Sequence, residues 1–251
     1  MSDEIQVTLV ANAGILLSFR GRKLLIDGLF RAEDTPFSCI PAKTLEKLLN
    51  GYPPYDDIDY LLFTHYHPDH FSPEITRSYL ERRGAKGVLL PPGHGADLLR
   101  LQEELEALQI PCLIAETSGV SEARLAADLQ IRTLPTGHLD PKFQDVPHVA
   151  LLLTLGEKRL LVTGDADYIH ETFPALPPLR AVFLNPLFFH ACSTGTFFRG
   201  SFQTDAFCVY HVPFPEDDVF HLQSMLERDR QQAQRSRPVF VLNQPDQQIL
   251  L

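Results

Sequence analysis

Thr64-His65-Tyr66-His67-Pro68-Asp69-His70 places three imidazoles and a carboxylate within seven residues. These donors suit Zn²⁺, and also Fe, Mn and Co. The apolar run 59–63 ahead of the motif reads as a buried strand. Ser72-Pro73-Glu74 after it reads as a helix start, with a Ser cap, Pro at the first helical position and an acid in the first turn. Alternate side chains at a strand end share one side, so His65 and His67 aim together. The turn into the helix then lets Asp69 and His70 address a second position nearby. The bland alternative is a solvated His-rich loop or helix-capping histidines. Three imidazoles at a buried strand end are hard to satisfy without a cation, which favours a metal.

Further ligands must come from elsewhere in the chain. Asp165, in Gly164-Asp165-Ala166-Asp167, follows the apolar stretch 160–163 at a strand-to-loop junction; a turn or helix-cap role is its alternative. His211 follows the strand-like stretch 207–210 and precedes Val212-Pro213; a half-exposed turn histidine is the alternative there. Between them, His138 and His148 each follow a Gly or Pro turn. His138 is preferred as a ligand because it comes directly after the strand-like stretch 128–134. His94, His170, His190 and His221 read as surface or core residues, although His190 beside Phe188-Phe189 could line a pocket. Phe188, Phe189, Phe197, Phe198 and Phe202 lie between Asp165 and His211. They read as core packing or an oligomer interface, with an aromatic lid as the other possibility.

The elements that must position these residues follow from periodicity. Residues 5–10, 15–19 and 23–28 read as three strands with turns at Asn12-Ala13-Gly14 and Gly21. Residues 44–49 read as a short helix. The helix that opens at Ser72 should end near Arg83-Gly84. Residues 88–90 form a strand, and Leu98, Leu101, Leu105 and Leu108 mark an amphipathic helix. Further strands are expected at 110–115, 128–134, 150–155, 159–163, 181–184, 207–210 and 238–242, with a helix over 216–230. Strands at both ends with helices interspersed predict one α/β domain over residues 1–251. A doubly wound sheet fits less well, because the opening meander holds no helix and no GxGxxG follows the first strand.

The formal net charge of −10, from 32 acids against 22 bases, disfavours nucleic acid as a partner. Cys39, Cys112, Cys192 and Cys208 form no CxxC pair and read as reduced, mostly buried thiols of a cytosolic protein. The opening MSDEIQVTLV lacks a basic start and a long apolar run. No apolar stretch approaches the ~20 residues that span a bilayer. The expectation is a cytoplasmic protein that acts on a small molecule, without membrane attachment and with a homo-oligomer possible.

At these residues the chain resembles the metallo-β-lactamase fold superfamily over nearly its full length. Asp27 matches the aspartate that ends an early strand and supports the metal loop. His65, His67, Asp69 and His70 match the signature, and His138 the third-motif histidine. Asp165 matches the aspartate that bridges both metals, and His211 the last histidine. The resemblance implies a four-layer αβ/βα sandwich with metals at the edge where two sheets meet. It implies that His65, His67 and His138 bind one metal, and Asp69, His70 and His211 the other. The third motif departs from the usual Gly-His-Thr-x-Gly, reading Gly137-His138-Leu139-Asp140-Pro141. The stretches 52–70 and 210–218 are similar to the ascorbate-phosphate lactonase-like members.

Two divalent ions, Zn²⁺ first and Mn²⁺ or Fe²⁺ as alternatives, can lower the pKa of a shared water towards neutrality. The resulting hydroxide attacks an acyl carbon or phosphorus, while the ions stabilise the developing oxyanion. The expected activity is hydrolysis of a small ester, lactone or phosphodiester, with Asp69 and Asp165 in catalytic roles and Asp27 orienting the imidazoles. The competing classes are an iron-binding redox protein and a degenerate metal-binding domain.

Overall fold

The opening strand-like stretches fold as an antiparallel meander of β1 (Gln6–Ala11), β2 (Gly14–Phe19) and β3 (Arg22–Ile26). The computed structural model describes residues 3–33, 35–170, 173, 175–195, 202–233 and 237–251. They fall into two compact units, residues 1–115 with 244–251, and residues 116–243.

In the first unit the sheet continues from β3 through three parallel strands, β4 (Tyr60–Leu62), β5 (Gly87–Leu90) and β6 (Cys112–Ile114). Parallel neighbours need a crossover, and α1 (Ala42–Asn50), α2 (Pro73–Arg83) and α3 (Ala96–Ala107) supply one each. Helix α2 begins as its sequence predicts. Ser72 Oγ accepts the Ile75 N–H at 3.3 Å, Pro73 occupies the first turn, and Gly84 caps the end. Leu98, Leu101 and Leu105 are the buried face of α3, while Leu108 lies past its end and half exposed. With β3, β4 and β5 parallel, their C-terminal ends share one sheet edge. Asp27 and the His65–His70 motif both lie on that edge.

The second unit has the same plan. An antiparallel meander of β7 (Ser121–Ala126), β8 (Leu129–Thr136), β9 (His148–Leu155) and β10 (Lys158–Val162) leads to parallel β11 (Ala181–Leu184), β12 (Phe207–Val209) and β13 (Val239–Val241). Helix α4 (Pro186–Thr194) joins β11 to β12, and α5 (Leu222–Ala233) joins β12 to β13. Leu152, Leu161, Val182, Leu184, Phe188 and Val209 belong to its apolar core, each contributing roughly 1.5–3 kcal/mol when fully buried. Asp165, Asn185 and His211 follow the C-terminal ends of β10, β11 and β12. The chain ends in β14 (Gln248–Leu250), which returns to the first unit beside β1. Asp246 anchors that return by binding Tyr55 Oη at 2.7 Å and pairing with Lys47.

Four elements differ from the sequence reading. β7 and β14 are edge strands with half-exposed residues, so neither shows an apolar run. Helix α4 is only nine residues long and buried on several positions, which hides its periodicity. The helix expected from residue 216 starts at Leu222. Tight turns occupy the segment before it, and the Asp218 carboxylate accepts the N–H groups of Leu222 and Gln223 at 2.8 and 2.9 Å, fixing the start there. Val219, in the segment before the helix, is 67% exposed. All four cysteines are free; Cys208 is buried, Cys112 and Cys192 are half-buried, and Cys39 is exposed.

Gly14 is the point where β2 meets the end of β3. A Cβ on it would lie 2.9 Å from Gly28 Cα and 3.0 Å from the Asp27 carbonyl oxygen. Both are backbone atoms and cannot rotate away. Gly14→Ala is therefore expected to destabilise the protein by roughly 1–3 kcal/mol through overpacking, measured by denaturant unfolding. An unchanged midpoint would show that the β2–β3 end has room to relax.

Candidate metal centre

Asp27 ends β3 with a left-handed backbone (φ 48°) and a fully buried carboxylate. Its Oδ1 accepts the Thr64 N–H at 2.8 Å, and its Oδ2 accepts the Thr64 hydroxyl at 2.7 Å. His70 Nδ1 lies 3.0 Å from the same Oδ2. A carboxylate only accepts, so Nδ1 of His70 carries the proton and its Nε2 is left as a donor to a metal. Thr64 spends its own proton on Asp27. Its oxygen therefore accepts from His65 Nδ1 at 3.0 Å, which frees His65 Nε2 in the same way. One carboxylate thus sets the tautomer of two imidazoles, one directly and one through a threonine.

His65 Nε2 stands 3.1 Å from His67 Nδ1. Two nitrogens bound to one tetrahedral Zn²⁺ at about 2.0–2.1 Å would stand roughly 3.3 Å apart. His70 Nε2 lies 3.8 Å from Asp69 Oδ2, too long for a hydrogen bond and within the roughly 4 Å that two donors on one ion can span. His65, Asp69 and His70 are buried and His67 is half-buried. This donor set fits a divalent cation. Asn12, in the two-residue connection from β1 to β2, donates from Nδ2 to Asp69 Oδ2 at 3.4 Å.

In the second unit Asp165 lies three residues beyond β10. Residues 137–139 and 165–167 pair locally, with Leu139 N–H on the Asp165 carbonyl at 2.8 Å and Asp167 N–H on the Gly137 carbonyl at 2.9 Å. Asp165 Oδ2 lies 3.7 Å from His138 Nε2 and 3.6 Å from His211 Nε2. Its Oδ1 is 3.5 Å from Asn185 Nδ2. One carboxylate oxygen is therefore within 3.7 Å of two imidazole nitrogens.

His148 is placed differently. Its Nε2 accepts the Asp165 N–H at 3.0 Å, so its Nδ1 carries the proton that Thr136 Oγ1 accepts at 2.6 Å. Both ring nitrogens of this fully buried residue are used within the protein, and they hold the Asp165 turn. The Asp140 backbone nitrogen stands 3.3 Å from His138 Nδ1, which leaves Nε2 facing Asp165.

Three residues here adopt left-handed backbones: Asn12 (45°), Asp27 (48°) and His211 (59°). Such strain costs of order 1–3 kcal/mol per residue and concentrates at functional sites.

Sequence reasoning missed Asn12, Thr64, Thr136, Asn185 and Tyr210, whose hydroxyl accepts the Gly164 N–H at 3.0 Å. Only Asn185 carried a readable signal, because Asn-Pro is a helix-start pair and Asn185 caps α4 by accepting the Phe188 N–H. Phe188, Phe189 and Phe202 are buried in the core of their unit. Phe197 and Phe198 lie outside the described residues. His190 binds Asp229 at 2.8 Å, joining α4 to α5, and His170 binds Asp167 at 2.6 Å. Burial pushes the thiols of Cys112 and Cys192 up to about 11 and about 12, so neither is a thiolate near neutral pH. Among the described residues, no helix is long and apolar enough to cross a membrane.

No family model matches the chain, and no curated protein matches it in sequence. Solved structures do. The metallo-β-lactamase fold protein YhfI from Bacillus subtilis superposes with a TM-score of 0.65 at 17% identity, over 98% of this chain and 99% of that one. Igni18, a metallo hydrolase from the archaeon Ignicoccus hospitalis, gives 0.59 at 16% identity, over 99% and 98%. CmlA, a diiron β-hydroxylase from Streptomyces venezuelae, gives 0.61 at 18% identity, over 100% of this chain and 54% of CmlA. The chain has the metallo-β-lactamase fold.

The hydrogen bonds of His138 and His148 separate their expected phenotypes. His138→Ala should lower metal content. His148→Ala should retain the metal stoichiometry while weakening affinity or turnover by ~10–100-fold, the usual effect of losing a group that orients a ligand. Metal analysis after dialysis reads the difference, and loss of metal in His148→Ala alone would exchange the two roles.

Proposed function

We propose that the chain is a metal-dependent hydrolase with two divalent cations, Zn²⁺ in the first instance. In this reading His65, His67 and His138 hold one ion, Asp69, His70 and His211 hold the other, and Asp165 is shared. The observation that carries it is the Asp165 carboxylate, with one oxygen 3.7 Å from His138 Nε2 and 3.6 Å from His211 Nε2. When bound, the ions supply a water acidified towards neutral pH and a Lewis acid for the substrate oxygen.

The chain's own groups have distinct tasks. Asp27 and Thr64 present His65 and His70 in the ligating tautomer. His148 fixes the Asp165 turn, and Asn185 steadies its Oδ1. Asp69 and Asp165 would offset part of the ionic charge, and Asp69 would accept a proton from the attacking water.

The loops at the C-terminal ends of β10, β11 and β12 refine the substrate class. Residues 164–170, 185–195 and 210–221 contain no lysine or arginine, whereas Glu216, Asp217 and Asp218 are consecutive carboxylates. Ile169, Val219 and Phe220 in these segments, and Leu187 in the first turn of α4, are exposed. An anionic phosphodiester would meet repulsion at this edge, so an uncharged carboxylic ester or lactone with an apolar part is the favoured substrate. The diiron β-hydroxylase on the same fold supports a second reading, in which the same ligands hold iron for redox chemistry.

Purified protein should hold close to two metals per chain. His67→Ala and Asp165→Ala should abolish ester and lactone hydrolysis with little change in the circular dichroism spectrum, because both residues stand beyond strand ends. Saturation at one metal would remove the two-ion reading. Iron in the protein as isolated, with no turnover on esters, lactones or phosphodiesters, would favour the redox reading.

A further inference from the structure

Asn12 is fully buried, yet it sits in a hairpin connection where a polar side chain is normally solvated. Its φ of 45° demands a residue tolerant of the left-handed region. Glycine meets that demand without steric cost, and asparagine is the next best choice. Asparagine, however, brings an amide that must also be buried. Its Oδ1 has no hydrogen-bond partner among the described residues, and a buried acceptor without a partner is destabilising. The turn by itself therefore does not account for the side chain.

The other end of the amide does account for it. Asn12 Nδ2 reaches Asp69 Oδ2 at 3.4 Å. The orientation of the amide is fixed by chemistry, since a carboxylate offers only acceptors and the amide must turn its nitrogen towards it. Asp69 is otherwise held by a loop in which His70 N–H and Phe71 N–H both bond the His67 carbonyl, at 3.0 and 2.8 Å. That loop fixes the backbone on either side and leaves the carboxylate torsion to side-chain contacts.

We propose that Asn12 is a positioning residue for Asp69. Its left-handed backbone aims a neutral donor at one carboxylate oxygen, so that the carboxylate is presented to the metal held with His70 in one orientation. A neutral donor suits the task. It orients the carboxylate without adding a positive charge that would compete with the cation. This inference rests on the reading of Asp69 as a metal ligand.

Three variants test it, with metal affinity measured by competition against a chromophoric chelator and ligand geometry by the visible spectrum of the cobalt-substituted protein. Asn12→Gly keeps the turn and removes the amide. It should leave the melting temperature of the metal-free protein unchanged, weaken the binding of one ion by ~10–100-fold, and alter the cobalt spectrum. Asn12→Ala should lose metal affinity to the same extent and, in addition, melt at lower temperature because alanine is strained at this φ. Wild-type affinity and an unchanged cobalt spectrum in Asn12→Gly would overturn the proposal and leave a turn role only. Asp69→Ala is the control for the reading beneath it. If Asp69→Ala keeps both ions at wild-type affinity, Asp69 is not a ligand; if it loses one while Asn12→Gly does not, only the role of Asn12 fails.

Discussion

The buried carboxylate of Asp27 is the constraint on which the first unit's cluster of candidate ligands depends. Removing an ion from water costs several kcal/mol unless its lone pairs are satisfied. Here they are met by the Thr64 N–H, the Thr64 hydroxyl and the His70 imidazole. Those three donors come from the loop directly after β4, the strand beside β3. Strand register, loop conformation and imidazole tautomer are therefore satisfied together or not at all. Asp27 N–H also bonds the Leu62 carbonyl at 3.0 Å, which extends the β3–β4 ladder into the loop. Gly14 lets the β2 end approach close enough for this packing.

The second unit solves the same problem with different chemistry. His148, a neutral donor–acceptor, takes the place of the ionised carboxylate. It accepts from the Asp165 backbone and donates to Thr136. Both solutions place the ligand-bearing turns at the C-terminal ends of strands in the parallel part of a sheet, where the chain leaves the ladder and backbone N–H groups become available. In the first a threonine hydroxyl, Thr64, is the intermediary; in the second His148 is the intermediary and the Thr136 hydroxyl is its acceptor. A threonine hydroxyl can donate and accept at once, so it passes a hydrogen-bond direction from one group to the next.

The sequence made the fold legible where one physical signal dominated. The His65–His70 motif, the Ser72-Pro73 helix start and the three strands before Asp27 each appear in the structure where they were expected. It was silent where the decisive partner lay far away along the chain. His148 and His138 look alike locally, both an imidazole after a turn, and only the distances to Asp165 and Thr136 distinguish them. Asn12 reads as an ordinary turn residue until Asp69, 57 positions later, is brought beside it. The early helix expected over 216–230 failed for the opposite reason. Asp218 caps a later start, and Val219 and Phe220 in the turns before it are exposed.

The supporting bonds also bear on how metal binding couples to folding. In small zinc domains the ion supplies much of the folding free energy, because no preformed site exists without it. Each unit here has a seven-stranded sheet and buried apolar side chains of its own. The groups that orient the ligands are protein groups already bonded to one another: Asp27 to Thr64, Thr64 to His65, His148 to Asp165. Much of the ordering that an ion would otherwise have to impose is thus present in the fold. The left-handed backbones of Asn12, Asp27 and His211 belong to the same account, since each lies within two residues of a strand end. In the proposed reading, binding energy from the ions would then go to ligation and to acidifying water rather than to folding the chain.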